Sequence, residues 1–126
     1  MRLLLDTHIL LWCLGEDSAL SRQARLLIVD STNQIYISSI SLWEVAIKAY
    51  IGKIVADVNE IRAAAVASGF LSLPFTLEHA AAVAQLPAHH RDPFDRALIA
   101  QARSEPLRLL THDRALVAYG EAVMPV

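Results

Sequence analysis

Short runs of apolar residues alternate with longer segments of helical periodicity along the whole chain. The short runs are continuous enough for strands buried on both faces, and they predict strands at 2–6, 35–37, 70–73, 107–110 and 122–124. The longer segments predict helices at 7–14, 21–29, 39–51, 57–68, 76–86, 93–104 and 113–119. Strands that alternate with helices indicate an α/β fold built on an open, mostly parallel sheet.

Residues with special backbone preferences mark several helix ends. Ser38 or Ser39 can cap the helix after the second strand, and Gly52 ends that helix. Asp92-Pro93 is typical of an N-cap followed by proline in the first turn. No internal repeat, linker or low-complexity tract divides the sequence, so we expect a single domain over residues 1–126.

Acidic residues stand where several predicted elements meet one edge of the sheet. In an open parallel sheet, ligands bind beyond the carboxyl ends of the strands. Asp6 ends the first strand and Asp113 follows the fourth. Glu44 lies about one turn into the helix after the second strand, and Asp92 and Asp95 begin the helix that leads into the fourth. We therefore expect four segments to bring carboxylates to this edge.

Each of these acids also has a purely structural interpretation. The aspartates could serve only as helix N-caps, and Glu44 could form an exposed i,i+4 pair with Lys48. Against this, Glu44 shares its helical face with Ile40 and Ile47, and Asp95 has a similar apolar setting. A carboxylate on a face that points to the core needs a compensating partner.

Several carboxylates gathered at one place require positive charge. Two like charges about 4 Å apart repel by roughly 4 kcal/mol at an effective dielectric near 20. The sequence offers no matching buried cluster of arginine and lysine. A divalent cation compensates the acids directly, and all-oxygen ligation favours Mg²⁺ or Mn²⁺ over zinc. We therefore predict a metal site that promotes attack of water on a phosphodiester.

Composition narrows the function and the location. The 126 residues carry a net charge of −2, which argues against a DNA-coating protein but not against an enzyme whose metal ions attract nucleic acid. Hydrophobic residues make up 55%, so part of the surface is expected to be covered by a partner or a second copy. The single cysteine, Cys13, favours a reducing compartment. Without a signal-like or bilayer-spanning segment, we expect a cytoplasmic protein with no membrane contact.

Four motifs follow one another along the chain: Leu-Leu-Asp-Thr at the start, Ser-x-x-x-Trp-Glu in the middle, Asp-Pro-Phe-Asp-Arg-x-Leu-Ile-Ala-Gln-Ala, and then Leu-Thr-x-Asp. In this order they resemble the motifs of PIN-domain proteins and, more closely, of the VapC toxins of bacterial type II toxin–antitoxin pairs. The resemblance spans nearly the whole chain. No single motif is diagnostic, but the ordered set is specific.

The resemblance implies a three-layer α/β/α sandwich, endoribonuclease activity that depends on Mg²⁺ or Mn²⁺, a homodimer, and inhibition by a small antitoxin protein. The residues matching the acidic positions of the family, implied as catalytic and metal-binding, are Asp6, Glu44, Asp95 and Asp113. Thr7 and Thr111 match hydroxyl positions that support the site. Asp95 is preferred to Asp92 because 98–102 aligns with the family's helix after its third acid, and Asp92 keeps a supporting place.

Other residues and functions receive less support. No close-spaced zinc motif accompanies the five histidines, so we assign His89 and His90 to a solvated loop. We expect Trp12 and Trp43 in the core or an interface rather than as base-stacking platforms. One alternative is a receiver-like signalling domain, which would need an acid where the third strand ends in Leu73. Another is a PIN fold that has lost catalysis and only binds a partner.

Overall fold

A computed structural model describes residues 1–126, and its centre is a sheet of five strands that are parallel throughout. The strands are β1 (Arg2–Leu5), β2 (Gln34–Ser38), β3 (Leu71–Leu73), β4 (Arg108–Thr111) and β5 (Val123–Pro125). Their order across the sheet is β3-β2-β1-β4-β5. The α/β class predicted from the alternating pattern is confirmed.

Six α-helices and one 3₁₀ helix cover the sheet. They are α1 (Thr7–Leu14), α2 (Arg22–Val29), α3 (Ser39–Tyr50), α4 (Val58–Ala67), α5 (Leu77–Val83), α6 (Pro93–Ser104) and the 3₁₀ helix Arg114–Tyr119. No helix combines the length and the apolar character needed to cross a membrane.

Both faces of the sheet are covered, which explains why its strands are apolar without alternation. Side chains alternate along a strand, so Leu3 and Leu5 of β1 point to one face and Leu4 to the other. Leu3 and Leu5 pack in a cluster with residues of α1, α2 and α4. Leu4 packs in a second cluster with α6, the 3₁₀ helix and parts of α3 and α5. This is the three-layer α/β/α sandwich that the resemblance implied.

The strand order places a crevice beside the end of β1. From β1 the chain winds outward to β2 and β3, then crosses back through α5 and α6 to add β4 on the opposite side of β1. The chain therefore leaves the carboxyl ends of the neighbouring strands β1 and β4 in opposite directions. A crevice at such a point of reversal is the expected ligand site of an open α/β sheet.

One helix prediction is wrong in its end, and another gains its helix type. The helix predicted at 76–86 ends at Val83, where i→i−3 hydrogen bonds such as Leu86 to Val83 replace the α-helical pattern. Arg96 draws the carbonyls of Val83 and Leu86 toward its guanidinium, which satisfies them outside a helix. The segment predicted as a helix at 113–119 is a 3₁₀ helix that ends at Gly120, a residue with a positive φ of 91°.

Candidate active site

Asp6 lies at the junction of β1 and α1 and has two roles there. Its side chain accepts a hydrogen bond of 2.8 Å from the amide of Ile9, which caps α1. Burial raises the pKa of the Asp6 carboxyl, although hydrogen bonds from Thr111 and Ile9 lower it, and the charge of Glu44 raises it further. The cap interpretation is therefore correct but incomplete, because a buried acid here interacts with a second one.

Glu44 is only 3% exposed, and both of its carboxylate oxygens have partners. The Thr7 hydroxyl donates to Oε1 at 2.6 Å, and the Lys48 ammonium donates to Oε2 at 2.6 Å. Thr7 is held in turn by a hydrogen bond of 3.1 Å with Ser41. This arrangement fixes the position of Glu44 from two helices, α1 and α3.

Lys48 is the cation that pairs with Glu44. Lys48 and Glu44 form an i,i+4 ion pair, in which the glutamate is buried and the lysine side chain is 29% exposed. The hydrogen bond with Glu44 raises the pKa of Lys48, so the ammonium stays charged. The helix pair weighed as the structural alternative is therefore present, but its acid is buried rather than exposed.

Asp92 and Asp95 share the N-terminus of α6 but differ in what their carboxylates contact. Asp92 Oδ1 accepts the amides of Phe94 and Asp95 at 2.8 and 3.0 Å, so that oxygen is committed to capping the helix. Asp95 accepts no backbone amide, and its Oδ2 lies 3.0 Å from Nε2 of His90. The geometry favours Asp95 over Asp92 as the candidate ligand.

Asp113 follows β4 and is the most exposed of the four candidate acids. Its Oδ1 accepts the amide of Ala115 at 2.9 Å and caps the 3₁₀ helix. Its own amide donates to Thr111 Oγ1 at 3.0 Å, so the buried Thr111 fixes the turn from which Asp113 projects. Its Oδ2 lies 4.0 Å from Nε2 of His90, on the cavity side.

His90 is a site residue that the sequence argument assigned to solvent. Its side chain is 22% exposed and reaches between Asp95 and Asp113. One ligand atom from each of these three residues lies within 4.8 Å of the others. The sequence signal for this residue was the adjacent pair His89-His90, two residues before an N-cap aspartate. Periodicity alone could not show that the loop turns His90 toward the acids.

A single cavity of about 990 Å³ contains all of these acids. Its thirteen lining residues include five carboxylates, contributed by the ends of β1 and β4 and the N-terminal halves of α3 and α6. The acids are Asp6, Glu44, Asp92, Asp95 and Asp113. Basic and imidazole side chains surround them: His8, Lys48, His89, His90, Arg91, His112 and Arg114. Thr7 and Thr111 do not line the cavity but hydrogen-bond to groups that do.

The donor set fits a hard divalent cation. Carboxylate oxygens predominate, which is the ligand type that Mg²⁺ and Mn²⁺ prefer, and the single imidazole of His90 adds a nitrogen that Mn²⁺ accepts. Asp6 and Asp95 have pKa values raised chiefly by burial and also by neighbouring acids. Their negative charges are thus incompletely compensated by the chain itself, which is the condition that a bound cation relieves.

Asp95 should make the metal-free protein less stable at neutral pH. Burial, and then the charge of Asp92, raise its pKa from 3.8 to about 6, while the hydrogen bond to His90 lowers it. The folded state therefore binds this proton more tightly than the unfolded state. The resulting stabilisation is complete below pH 3.8 and is lost as the pH rises through about 6.

The Asp95→Asn variant measures this effect directly. With EDTA present at pH 7.5, we expect the variant to be more stable than wild type by roughly 1–3 kcal/mol, about 3–10 °C in melting temperature. At pH 4 the wild-type carboxyl is largely protonated in the fold, so the two proteins should melt almost together. Thermal unfolding followed by circular dichroism at both pH values tests this, and an equal gap at the two would contradict it.

Comparisons with known proteins agree with the fold. The family model described as PIN domain matches residues 3–122. No curated protein sequence matches the chain significantly. Among solved structures, DNA-bound VapBC from Salmonella typhimurium has a TM-score of 0.71 and 19% identity, with 99% of this chain and 98% of that chain covered. A toxin–antitoxin complex from Klebsiella pneumoniae has a TM-score of 0.67 and 23% identity, with 96% and 94% covered.

A third structure extends over the entire chain. VapBC2 from Rickettsia felis, bound to a DNA fragment from its promoter, has a TM-score of 0.70 and 17% identity, and covers 100% of this chain and 98% of that chain. At these identities the likeness establishes a shared fold.

Proposed function

This chain belongs to the PIN domain family, and from that membership we propose that it is a divalent-metal-dependent endoribonuclease serving as the toxin of a toxin–antitoxin pair. The observation that carries the proposal is the convergence of Asp6, Glu44, Asp95 and Asp113 in one cavity at the carboxyl edge of the sheet. A nuclease of this type needs no nucleophilic side chain, and no serine, threonine, cysteine or tyrosine lines the cavity.

In the proposed reaction, the four acids hold Mg²⁺ or Mn²⁺ and the other residues arrange them. When bound, the cation supplies a water of lowered pKa and stabilises negative charge on the phosphodiester. Thr7 and Lys48 orient Glu44, and Thr111 fixes the turn that carries Asp113.

The cationic side chains around the cavity have a separate task. Arg91 and Arg114 are exposed at its rim and suit contacts with the flanking phosphates of a nucleic acid. Such contacts position the backbone without reading sequence. Their positive charge also offsets the repulsion that an acidic cavity exerts on a polyanion.

A small antitoxin is proposed as the partner because the similar structures are named as toxin–antitoxin or VapBC complexes. An apolar groove of about 450 Å³ between α1 and α4, where Ile54 and Val55 are among the lining residues, offers surface for such a protein. Tyr50 and Ile51, a few residues before Ile54 in the chain, are exposed and support the further proposal of a homodimer. We place this pair in the cytoplasm, where RNA is available.

The alternatives make different use of the same fold. A receiver-like domain would need an acid at the end of β3, where the chain has Leu73, and membership of the PIN domain family speaks against it. A catalytically silent PIN domain would keep the fold and the partner surface. Only an activity measurement separates this possibility from the proposed ribonuclease.

The purified protein should cleave single-stranded RNA with Mg²⁺ or Mn²⁺ and not with EDTA. The same cations at millimolar concentration should raise the melting temperature, because they bind the folded state. Substrates of RNA and of DNA with the same sequence, run on denaturing gels, decide which sugar is accepted. Cleavage that persists in EDTA, or no cleavage of RNA with either metal, would contradict the proposal.

A further inference from the structure

Three aromatic rings form one wall of the acidic cavity. His8 and Trp12 lie one helical turn apart on α1, with ring centroids 5.7 Å apart. His112 also contacts Trp12, with ring centroids 5.3 Å apart and the rings nearly perpendicular. All three line the cavity, and we refer to them as the aromatic wall.

The aromatic wall adjoins two of the candidate acids. His8 is two residues after Asp6 on the same helix start, and His112 stands between Thr111 and Asp113. A group bound by these acids therefore shares the cavity with the three rings. For a nucleotide held through its phosphate, the neighbouring moiety that reaches such a wall is the sugar and its base.

Trp12 is the single hydrophobic residue among the thirteen that line the cavity. It is half-buried and packs partly against the core beneath α1, so its ring is fixed in position. His8 and His112 are exposed and leave the cavity side of the wall open. The expectation that Trp12 belongs only to the core or an interface is therefore incomplete.

Such a wall suits an unstacked nucleobase. Proteins that bind single strands place bases on aromatic side chains beside a groove that follows the phosphates, and each stacked base contributes about 1–3 kcal/mol. Bases inside a double helix are stacked on one another and cannot reach a wall of this kind. Trp43, which is 58% exposed and packs edge-on against Phe94, does not line the cavity.

We propose that His8, Trp12 and His112 bind an unpaired nucleobase of single-stranded RNA next to the phosphodiester that is cleaved. The proposal rests on the proposed ribonuclease function and adds to it the residues that contact a base beside the cleaved bond.

Binding is tested without cleavage by using adenosine 5′-monophosphate, which has a base and a phosphate but no phosphodiester. In a Trp43→Phe protein the remaining tryptophan is Trp12, and its fluorescence should be quenched by this nucleotide in the presence of Mg²⁺. Ribose 5-phosphate, which lacks the base, should leave the fluorescence unchanged. Equal responses to the two compounds, or no response to the nucleotide, would overturn the proposal.

Kinetics provide the second test. For single-stranded RNA we expect Trp12→Ala to raise KM by about 5- to 100-fold, with kcat changed less than 3-fold. The reason is that stacking stabilises the bound substrate and the transition state equally. Trp43→Ala is the matched control and should leave both constants unchanged. If Trp12→Ala does not fold, the double variant His8→Ala/His112→Ala, at two exposed positions, replaces it. An unchanged KM in the folded variant would overturn the proposal.

The two tests separate failure of this inference from failure of the proposed function. Quenching by the nucleotide in a protein that cleaves no RNA would support the aromatic wall and contradict the ribonuclease. Cleavage of RNA without quenching would support the ribonuclease and overturn the aromatic wall.

Discussion

Asp6→Asn should reduce metal-dependent RNA cleavage by about 10³-fold or more while the protein folds as before. The substitution removes one negative charge from the proposed metal site. It keeps an oxygen that can accept the amide of Ile9, at present 2.8 Å away, so the cap of α1 survives. Because burial raises the pKa of this carboxyl, the neutral amide should not destabilise the metal-free protein.

Asp57→Asn is the matched control for this variant. Asp57 caps α4 through its Oδ1 in the same way, but it is exposed and lies outside the acidic cavity. Cleavage of a labelled RNA and melting with and without Mg²⁺ would be measured for both variants. Asp57→Asn should match wild type, whereas Asp6→Asn should also lose most of the Mg²⁺-induced rise in melting temperature. Full activity in Asp6→Asn would remove this residue from the proposed site.

Arg96→Ala should have the largest effect on stability, a loss of about 2–4 kcal/mol or roughly 10 °C in melting temperature. The guanidinium donates to the Tyr119 hydroxyl and the Pro87 carbonyl at 3.0 and 2.9 Å. It also donates to the carbonyls of Val83, Leu86 and His90 at 3.3 to 3.5 Å. Without it, the loop between α5 and α6 loses the group that holds it.

Because that loop carries His90, activity should fall together with stability in Arg96→Ala. Arg96→Lys should recover only part of both, since an ammonium cannot reproduce a planar fork of donors. Arg103→Ala is the control on the same helix, where one hydrogen bond of 2.7 Å to the Tyr119 carbonyl is lost. Urea unfolding of the three variants would measure the free energy of unfolding of each. A loss in Arg96→Ala no greater than in Arg103→Ala would contradict the assigned role.

Most of the fold could be predicted because its signals are local. Apolar runs mark the strands, and polar residues with known capping preferences, such as Ser38 and Asp92, begin helices where the structure has them. The end of α5 could not be predicted in this way. The carbonyls of Val83, its last residue, and of Leu86 just beyond it accept hydrogen bonds from Arg96, thirteen and ten residues further along the chain, and no local pattern reports such a contact.

The candidate site was predictable to the extent that topology alone places residues. Asp6 and Asp113 follow strands, and Glu44 and Asp95 begin helices at the same edge, so their convergence needs no side-chain detail. The partners of these acids depend on rotamers and on loop conformation. For that reason the pairing of a buried Glu44 with Lys48 could not be predicted, and His90, whose loop is held by Arg96, was assigned to solvent.

At the aspartates that cap helices, the fold tolerates substitution better than the proposed chemistry does. Asp6, Asp92 and Asp113 each begin a helix, and asparagine or serine can take over that task. A single base change that turns the codon of Asp6 into one for asparagine would therefore remove the proposed chemistry and leave the shape and the surfaces proposed for a partner intact.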